Sequence, residues 1–298
     1  MKRGIFSALA AIACAACSSN SGSFAGDTSH VGETAITDSC TNCPEMVSVT
    51  GGSFQMGETI DYGYGPMDGP RHTVIVRPFA IAVHEVTRAQ FARFVADSGY
   101  DPKPACNVYT EGNLEWHIDV TRTWSNPGFD QAEDHPVVCI SWDDAQAYIG
   151  WLNSKSDGNY RLPAEAEWEY LASMGGLGVL DHNSANMGSD PCCGGRVLGA
   201  DVWFYTAPVG SFSPDKFGLH DVRGNVWEWQ ADCFHPDYED APVDGRARTN
   251  DCMYPDQRAI RGGSYGDADF NYKPTFRLRG PRDQGYFTLG FRVAADLP

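Results

Sequence analysis

The chain has 298 residues, 42 % of them hydrophobic, so it is long enough to bury one large core and is not a low-complexity sequence. Its 39 acidic and 22 basic residues leave a formal charge of -17, and a field of that sign repels nucleic-acid phosphates and anionic lipid headgroups. Nucleic acid is not an expected partner.

Residues 1–17, MKRGIFSALAAIACAAC, combine a basic start (Lys2, Arg3), a short apolar run (Ile5 to Ala13) and small residues, the pattern of a secretory signal. The apolar run is too short to cross a bilayer as a helix. Ala15, Ala16 and Cys17 ahead of SSNSGS look like a bacterial lipoprotein signal, in which Cys17 becomes the lipidated first residue of the mature chain. Cys14 is the second choice, and ordinary cleavage near Ala16 is the plainer alternative. The expected location is the cell envelope, as an outer-membrane or periplasm-facing lipoprotein touching the membrane only through its anchor. Residues 18–43, rich in Ser, Gly, Thr and Asp, read as a flexible tether.

Export changes the meaning of the eight remaining cysteines, since an even number in an oxidising compartment argues for disulfides. Cys106 and Cys139 flank one loop and Cys233 and Cys252 another, which suggests those two pairs. Cys40 and Cys43 are then expected to bridge to the vicinal Cys192 and Cys193, whose joining to each other would strain a small ring. Zinc is the alternative for these four, but CTNC and CC do not make two CxxC knuckles. A redox CxxC is disfavoured because it does not sit between a strand and a helix start.

From Pro44 onward there is no second linker and no internal repeat, so residues 44–298 form one domain, expected to be monomeric. TRAQFARFVADSG predicts a helix with Thr87 and Gln90 in capping-box spacing, Phe91, Phe94 and Val95 on one face, and a stop at Gly99. SWDDAQAYIGWLN repeats the design with Ser141 and Asp144 at its start and Ala145, Tyr148, Ile149 and Leu152 as its stripe. In LPAEAEWEYLAS, Pro163 is expected in the first turn, Glu165 and Glu167 near the positive helix end, and Trp168, Leu171 and Ala172 inward. Short β-runs, HTVIVRPFAIAVHEV and LGFRVAAD, are separated by long Gly, Pro and Asp stretches. So much irregular chain in one domain asks for staples such as disulfides, bound ions or buried turn chemistry.

Four blocks, MVSVTGGSFQMG (46–57), HEVTRAQFARFV (84–95), RLPAEAEWEYLA (161–172) and FGLHDVRGNVWEW (217–229), precede RAIRGGSY (258–265) and GFRVAAD (290–296). In this order and spacing they resemble the formylglycine-generating enzyme, or sulfatase-modifying factor, family from about Pro44 to the C-terminus. The resemblance implies an α+β fold related to C-type lectins, with small twisted antiparallel sheets, few helices and much ordered loop. It also implies structural calcium. One site would use the side chains of Asn186 and Asp201 with the carbonyls of Met187 and Trp203. The other would use Asp221 and Glu228 with the carbonyls of Gly224 and Val226. Oxygen donors on Gly-bent acidic loops suit a hard cation, although Asp221 and Glu228 as turn caps, with Asn186 in an Asx-turn, would explain the same residues.

Family members that make formylglycine hold copper on two cysteines after a GGSY-like turn, and thiolate is the soft ligand that selects cuprous copper. Counted from Gly262 to Tyr265, those positions fall on Asp267 and Tyr272, both hard oxygen donors. Copper and formylglycine generation are therefore not expected. Sulfoxide-synthase relatives add a domain with iron-binding histidines. The eight histidines here (30, 72, 84, 117, 135, 182, 220 and 235) show no i, i+4 pair and read as surface or turn residues. Relatives of pyoverdine maturation lack the copper cysteines as well, so tailoring chemistry stays open.

No nucleophile elbow, phosphate loop or HExxH motif is present. Asp143 with Asp144, or Asp267 with Asp269, could serve acid–base work or act as solvated caps. Arg277, Arg279 and Arg282 could clamp a carboxylate or neutralise neighbouring aspartates. The leading expectation is a binding or accessory module for a peptide, protein or small-molecule ligand, with a cleft formed by residues 262–282 and Trp229. The ligand-binding candidates are Tyr265, Asp267, Asp269, Tyr272, Arg277 and Trp229. The alternative is an oxidase or tailoring enzyme acting on a peptide, sulfatase or secondary metabolite.

Overall fold

A computed structural model describes residues 43–59, 68–103, 105–110, 115–188 and 195–297. Cys17, Cys40, Cys192 and Cys193 lie outside the described residues, as do residues 1–42 with the expected signal and nearly all of the tether.

In chain order the first elements are β1 (Met46–Val49), β2 (Gly52–Met56), β3 (His72–Val76), β4 (Phe79–Ala82), α1 (Arg88–Ser98), β5 (Cys106–Thr110) and β6 (Glu115–Asp119). The middle of the chain supplies α2 (Trp142–Lys155), β7 (Tyr160–Arg161), α3 (Glu165–Met174) and β8 (Trp227–Cys233). The last are β9 (Gln257–Arg261), a 3-10 turn at Asp269–Tyr272, β10 (Leu278–Pro281), β11 (Gly285–Tyr286), β12 (Leu289–Gly290) and β13 (Ala294–Asp296). These strands form small sheets in the orders β1-β4-β13-β7, β10-β9-β8-β12, β11-β5-β6 and β2-β3. Most pairings are antiparallel, and β11–β5 and β12–β8 are parallel. The fold is the α+β, lectin-related arrangement expected, with three α-helices among the described residues.

The helices form where local chemistry directs them. Thr87 and Gln90 make the reciprocal cap of α1, and Gly99 ends it in the left-handed region at φ 69°. Ser141 and Asp144 do the same for α2, so Asp144 is a cap, while Asp143 pairs with Arg282. Phe91, Phe94, Tyr148, Ile149 and Leu152 meet in the main core with Phe291 and Val293 of the C-terminal segment. Because β13 sits between β4 and β7, the end of the chain closes this sheet.

The third helix departs from the expectation. Pro163 lies outside it, one residue before the N-cap Ala164, and the Glu167 carboxylate reaches back to accept the Ala164 N–H at 2.8 Å. Its whole first two turns are buried, Glu165, Glu167 and Glu169 included. Glutamates of that kind need cations inside the protein, and Arg161, Arg261 and Arg277 supply them. Two staples hold the loops: Cys106–Cys139 and Cys233–Cys252 are disulfide-bonded, in the pairing the loops suggested. Cys43 is disulfide-bonded too.

The histidines do not all stay near the surface. His135 and His235 are buried, the first against the Thr206 hydroxyl at 2.9 Å and the second beside Cys233. His84 and His220 stack at 4.9 Å, and burial, His220 and Arg292 hold His84 down to about 4, so it is neutral at neutral pH.

Candidate binding site

After β9 the backbone turns on Gly262 (φ 117°) and Gly263 (φ 76°), a region that L side chains resist. A Cβ on Gly263 would run into the Tyr272 ring, so the turn and that tyrosine require each other. The next residues fold around the Asp267 carboxylate. Its Oδ2 accepts from the Ser264 N–H at 2.9 Å, from the Ser264 hydroxyl, and from Trp227 Nε1 at 2.8 Å. Its Oδ1 accepts from Asn271 Nδ2. Burial pushes the carboxyl up from its ordinary range, and these donors pull it back. No lysine, arginine or histidine forms an ion pair with Asp267 among the described residues.

Tyr272 is buried, and its hydroxyl lies 2.6 Å from the Ser264 carbonyl and 3.0 Å from the Asp267 carbonyl while accepting the Gly188 N–H at 2.9 Å. Tyr265 is buried against Phe129, Tyr205 and Phe287 and donates to the Phe287 carbonyl at 3.2 Å. Both phenols are spent on holding the loop. Burial drives both far above their usual range, so neither is a ready base.

Beside this turn lies a cavity of about 470 Å³ lined by residues of both the β11-β5-β6 and the β10-β9-β8-β12 sheets. Ser264, Gly266 and Asp267 form one side of it, and Trp227, Trp116, Tyr286 and Phe287 supply aromatic walls. Of the six candidates from the sequence, Asp267 alone is among the residues that line it. Trp229, expected at the cleft, is wholly buried and donates to the Ile140 carbonyl at 3.2 Å; its strand neighbour Trp227 takes the wall position. Arg277 is buried too, bonded through Nε to Glu165 at 3.0 Å and stacked on Tyr238, and it braces the core. Asp269 is exposed at the start of the 3-10 turn and does not line the cavity. Arg279 contributes to the rim, but its guanidinium lies over Phe234 and Tyr254 at 5.0 and 4.9 Å, rings that do not line the cavity.

The acidic residues assigned to calcium are gathered as well. Asn186 and Asp201 are fully buried. Asn186 donates to the Tyr205 carbonyl at 2.8 Å, and its own Oδ1 has no hydrogen-bond partner. Asp201 accepts the N–H groups of Met187 and Trp203 at 3.0 and 3.2 Å and faces His182. At the second set, Glu228 is paired with Arg292 at 2.7 Å and also accepts Trp168 Nε1, while Asp221 accepts the Gly210 N–H at 2.8 Å. Val226 is fully buried, and Gly224 takes φ 101° in the same turn. Glu85, which the sequence reading did not single out, joins them. It is buried, accepts from Asn225 at 3.2 Å through one oxygen, and leaves the other without a partner. Burial first, and then Asp221, hold Glu85 well above the ordinary carboxylate range. Orphaned buried oxygens and uncompensated carboxylates are the donor chemistry a hard cation takes, so both sets fit calcium in kind. Among the described residues, no three His, Cys, Asp or Glu side chains converge as a ready metal cluster.

A fold of small sheets around a cavity lined by strands and by the turn after β9 defines the class, and sequence comparison agrees. Residues 32–297 match the sulfatase-modifying factor enzyme 1-like domain, and the chain belongs to that formylglycine-generating enzyme family. It is 33 % identical to the formylglycine-generating enzyme of Mycobacterium tuberculosis over 85 % of this chain and 98 % of that one. It is 31 % identical to inactive C-alpha-formylglycine-generating enzyme 2 of Bos taurus, over 84 % and 87 %. Among solved structures, PvdO from Pseudomonas aeruginosa superposes with a TM-score of 0.72 at 31 % identity, covering 89 % of this chain and all of PvdO.

Proposed function

We propose that this chain is a family member without the copper oxidase centre, exported and lipid-anchored through Cys17, that works as a binding or accessory module at the cell envelope. The observation that carries the reading is the state of the two metal-cysteine positions. Asp267 and Tyr272 are hard oxygen donors, and both are tied into the turn by hydrogen bonds to Ser264, Asn271, Trp227 and Gly188. A cuprous ion would find neither a thiolate nor a free donor there. What remains beside them is a cavity of about 470 Å³, within the range of small-ligand sites. The kinship with a relative named inactive shows that the family holds members without the oxidase activity.

Calcium belongs to the same proposal as a structural ion, held by Asn186 and Asp201 with the carbonyls of Met187 and Trp203, and by Asp221 and Glu228 with those of Gly224 and Val226. It would neutralise buried carboxylates and brace loops that have little secondary structure of their own.

Metal analysis of the purified mature chain, followed by oxygen-uptake measurements with cysteine-containing peptides, tests the reading. Calcium alone with no oxygen uptake is the expected result. Stoichiometric copper or iron together with peptide-dependent oxygen uptake would overturn it in favour of an oxidase.

A further inference from the structure

We propose that the aromatic cavity beside Asp267 recognises a small organic cation, an ammonium whose nitrogen is alkylated. The inference rests on the binding-module reading and adds the ligand's chemical class.

Three observations converge. The first is charge. Asp267 is the one carboxylate lining the cavity and no lysine or histidine lines it; the one lining arginine, Arg279, is solvent-exposed, which screens its charge, and holds its guanidinium over Phe234 and Tyr254, rings outside the cavity. An anionic ligand would meet an unpaired carboxylate inside a protein of net charge -17, whereas a cation would compensate both.

The second is the walls. Trp116 stands edge-on to Tyr286, with centroids 6.0 Å apart at 68°, and to Phe287 at 5.7 Å and 69°. Near-perpendicular rings make a corner, and Trp227 adds a fourth aromatic group adjoining the carboxylate. Aromatic faces attract a cation through their quadrupole, most strongly for tryptophan. Trp116 is also 47 % exposed on the edge strand β6, so about half of its surface stays open beyond its contacts with Tyr109, Tyr286 and Phe287.

The third is hydrogen-bonding capacity. A carboxylate offers about four acceptor positions. Asp267 uses its oxygens on the Ser264 N–H, the Ser264 hydroxyl, Trp227 and Asn271. Its negative charge therefore acts on the cavity while its lone pairs are spent. A primary ammonium, with three N–H groups to satisfy, would lose its water without full replacement. An alkylated ammonium has few or none to satisfy, and its methyl groups lie against the rings.

The matched probes are choline and its neutral twin 3,3-dimethylbutan-1-ol, which share shape and differ in charge. Each is titrated into the whole mature chain at constant ionic strength, with tryptophan fluorescence and ligand-observed NMR as readouts. Choline is expected to bind about tenfold more tightly than the alcohol, and methylammonium more weakly than choline. Trp116→Ala, at an exposed position, is expected to abolish the preference without loss of fold, checked by circular dichroism. Asp267→Asn is expected to reduce it, and Trp116→Ala keeps the test decisive if that variant misfolds. Equal affinity for the twins, absence of choline binding, or a preference that survives Trp116→Ala would each overturn the proposal. Equal affinity would leave the cavity a ligand site of another chemistry. Conversely, oxygen uptake on a redox metal would overturn the module reading while leaving a measured choline preference intact.

Discussion

Two clusters of buried charge lie on either side of Trp168, and they are built on opposite terms. The Arg261 guanidinium lies over the Trp168 ring at 5.7 Å, while Trp168 Nε1 donates to Glu228 on the other side at 3.1 Å. The Arg261 side is balanced. Arg261 and Arg277 bond Glu165, and Arg261 also bonds Glu169 at 2.9 Å and the Tyr238 hydroxyl. Burial alone would raise both glutamates; Arg277 and Arg261 more than offset it at Glu165 and hold that carboxyl below its ordinary range, whereas at Glu169 burial outweighs Arg261 and the Gly57 N–H and leaves the carboxyl raised. The Glu228 side is unbalanced. Glu85, Asp221 and Glu228 share the field of one guanidinium, Arg292, and burial raises all three. One cluster is closed, whereas the other has acceptor capacity left over in the unpartnered oxygen of Glu85.

The largest expected effect breaks the balanced side. Arg261→Met leaves Glu165 and Glu169 buried with one cationic partner, Arg277, between them, and should cost about 3–5 kcal/mol in denaturant unfolding. A loss under about 1 kcal/mol would show that the two carboxylates are protonated and that the balance is not what stabilises this side. Next comes calcium at the unbalanced side. Thermal unfolding of the chelated chain with calcium added back should show a stabilisation of about 2.7 kcal/mol at a hundred times the dissociation constant. Asp221→Asn should remove most of that response. No calcium response in the wild type would leave protonation as the way the cluster is neutralised.

The smallest effect is a pH signature at the edge of the balanced side. Asp232 accepts only the N–H groups of Glu165 and Arg248, at 2.8 and 2.7 Å, and burial, then Glu165, push it from 3.8 to about 7. A raised folded-state value means that the native protein holds a proton the unfolded chain has released. The associated stability is present below 3.8 and is lost as pH rises through about 7. Asp232→Asn should be less stable than wild type by about 1 kcal/mol in acid, for one impaired hydrogen bond. The gap should close or reverse as pH rises through about 7, read from melts at several pH values.

Much of this organisation is legible in the chain itself. The caps of α1 and α2, their apolar stripes, the two loop-flanking disulfides and the ordered family blocks are local or sequential patterns, and they survive intact in the fold. The site is less legible. Trp227 and Trp229 stand two residues apart on one face of β8 and are both buried, so nothing in WEWQADC says which of them adjoins the cavity. Glu165 and Glu169 look like residues of an exposed helix start until Arg261 and Arg277, about a hundred positions later, arrive beside them. Glu85 is a single carboxylate in HEV, and only the return of Asp221 and Glu228 gives it meaning.

Sequence by itself determined the class of this protein, the caps of α1 and α2 and the replacement of both metal-cysteine positions, because those depend on residue identity and short spacings. Tertiary structure alone decided that Tyr272 braces a turn, that Arg277 and Trp229 serve the core, and that Trp116, Trp227, Tyr286 and Phe287 form one aromatic cavity with Asp267. Burial and electrostatic partnership are set by distance in space, and the residues of that cavity come from strands and loops spread over more than half of the chain.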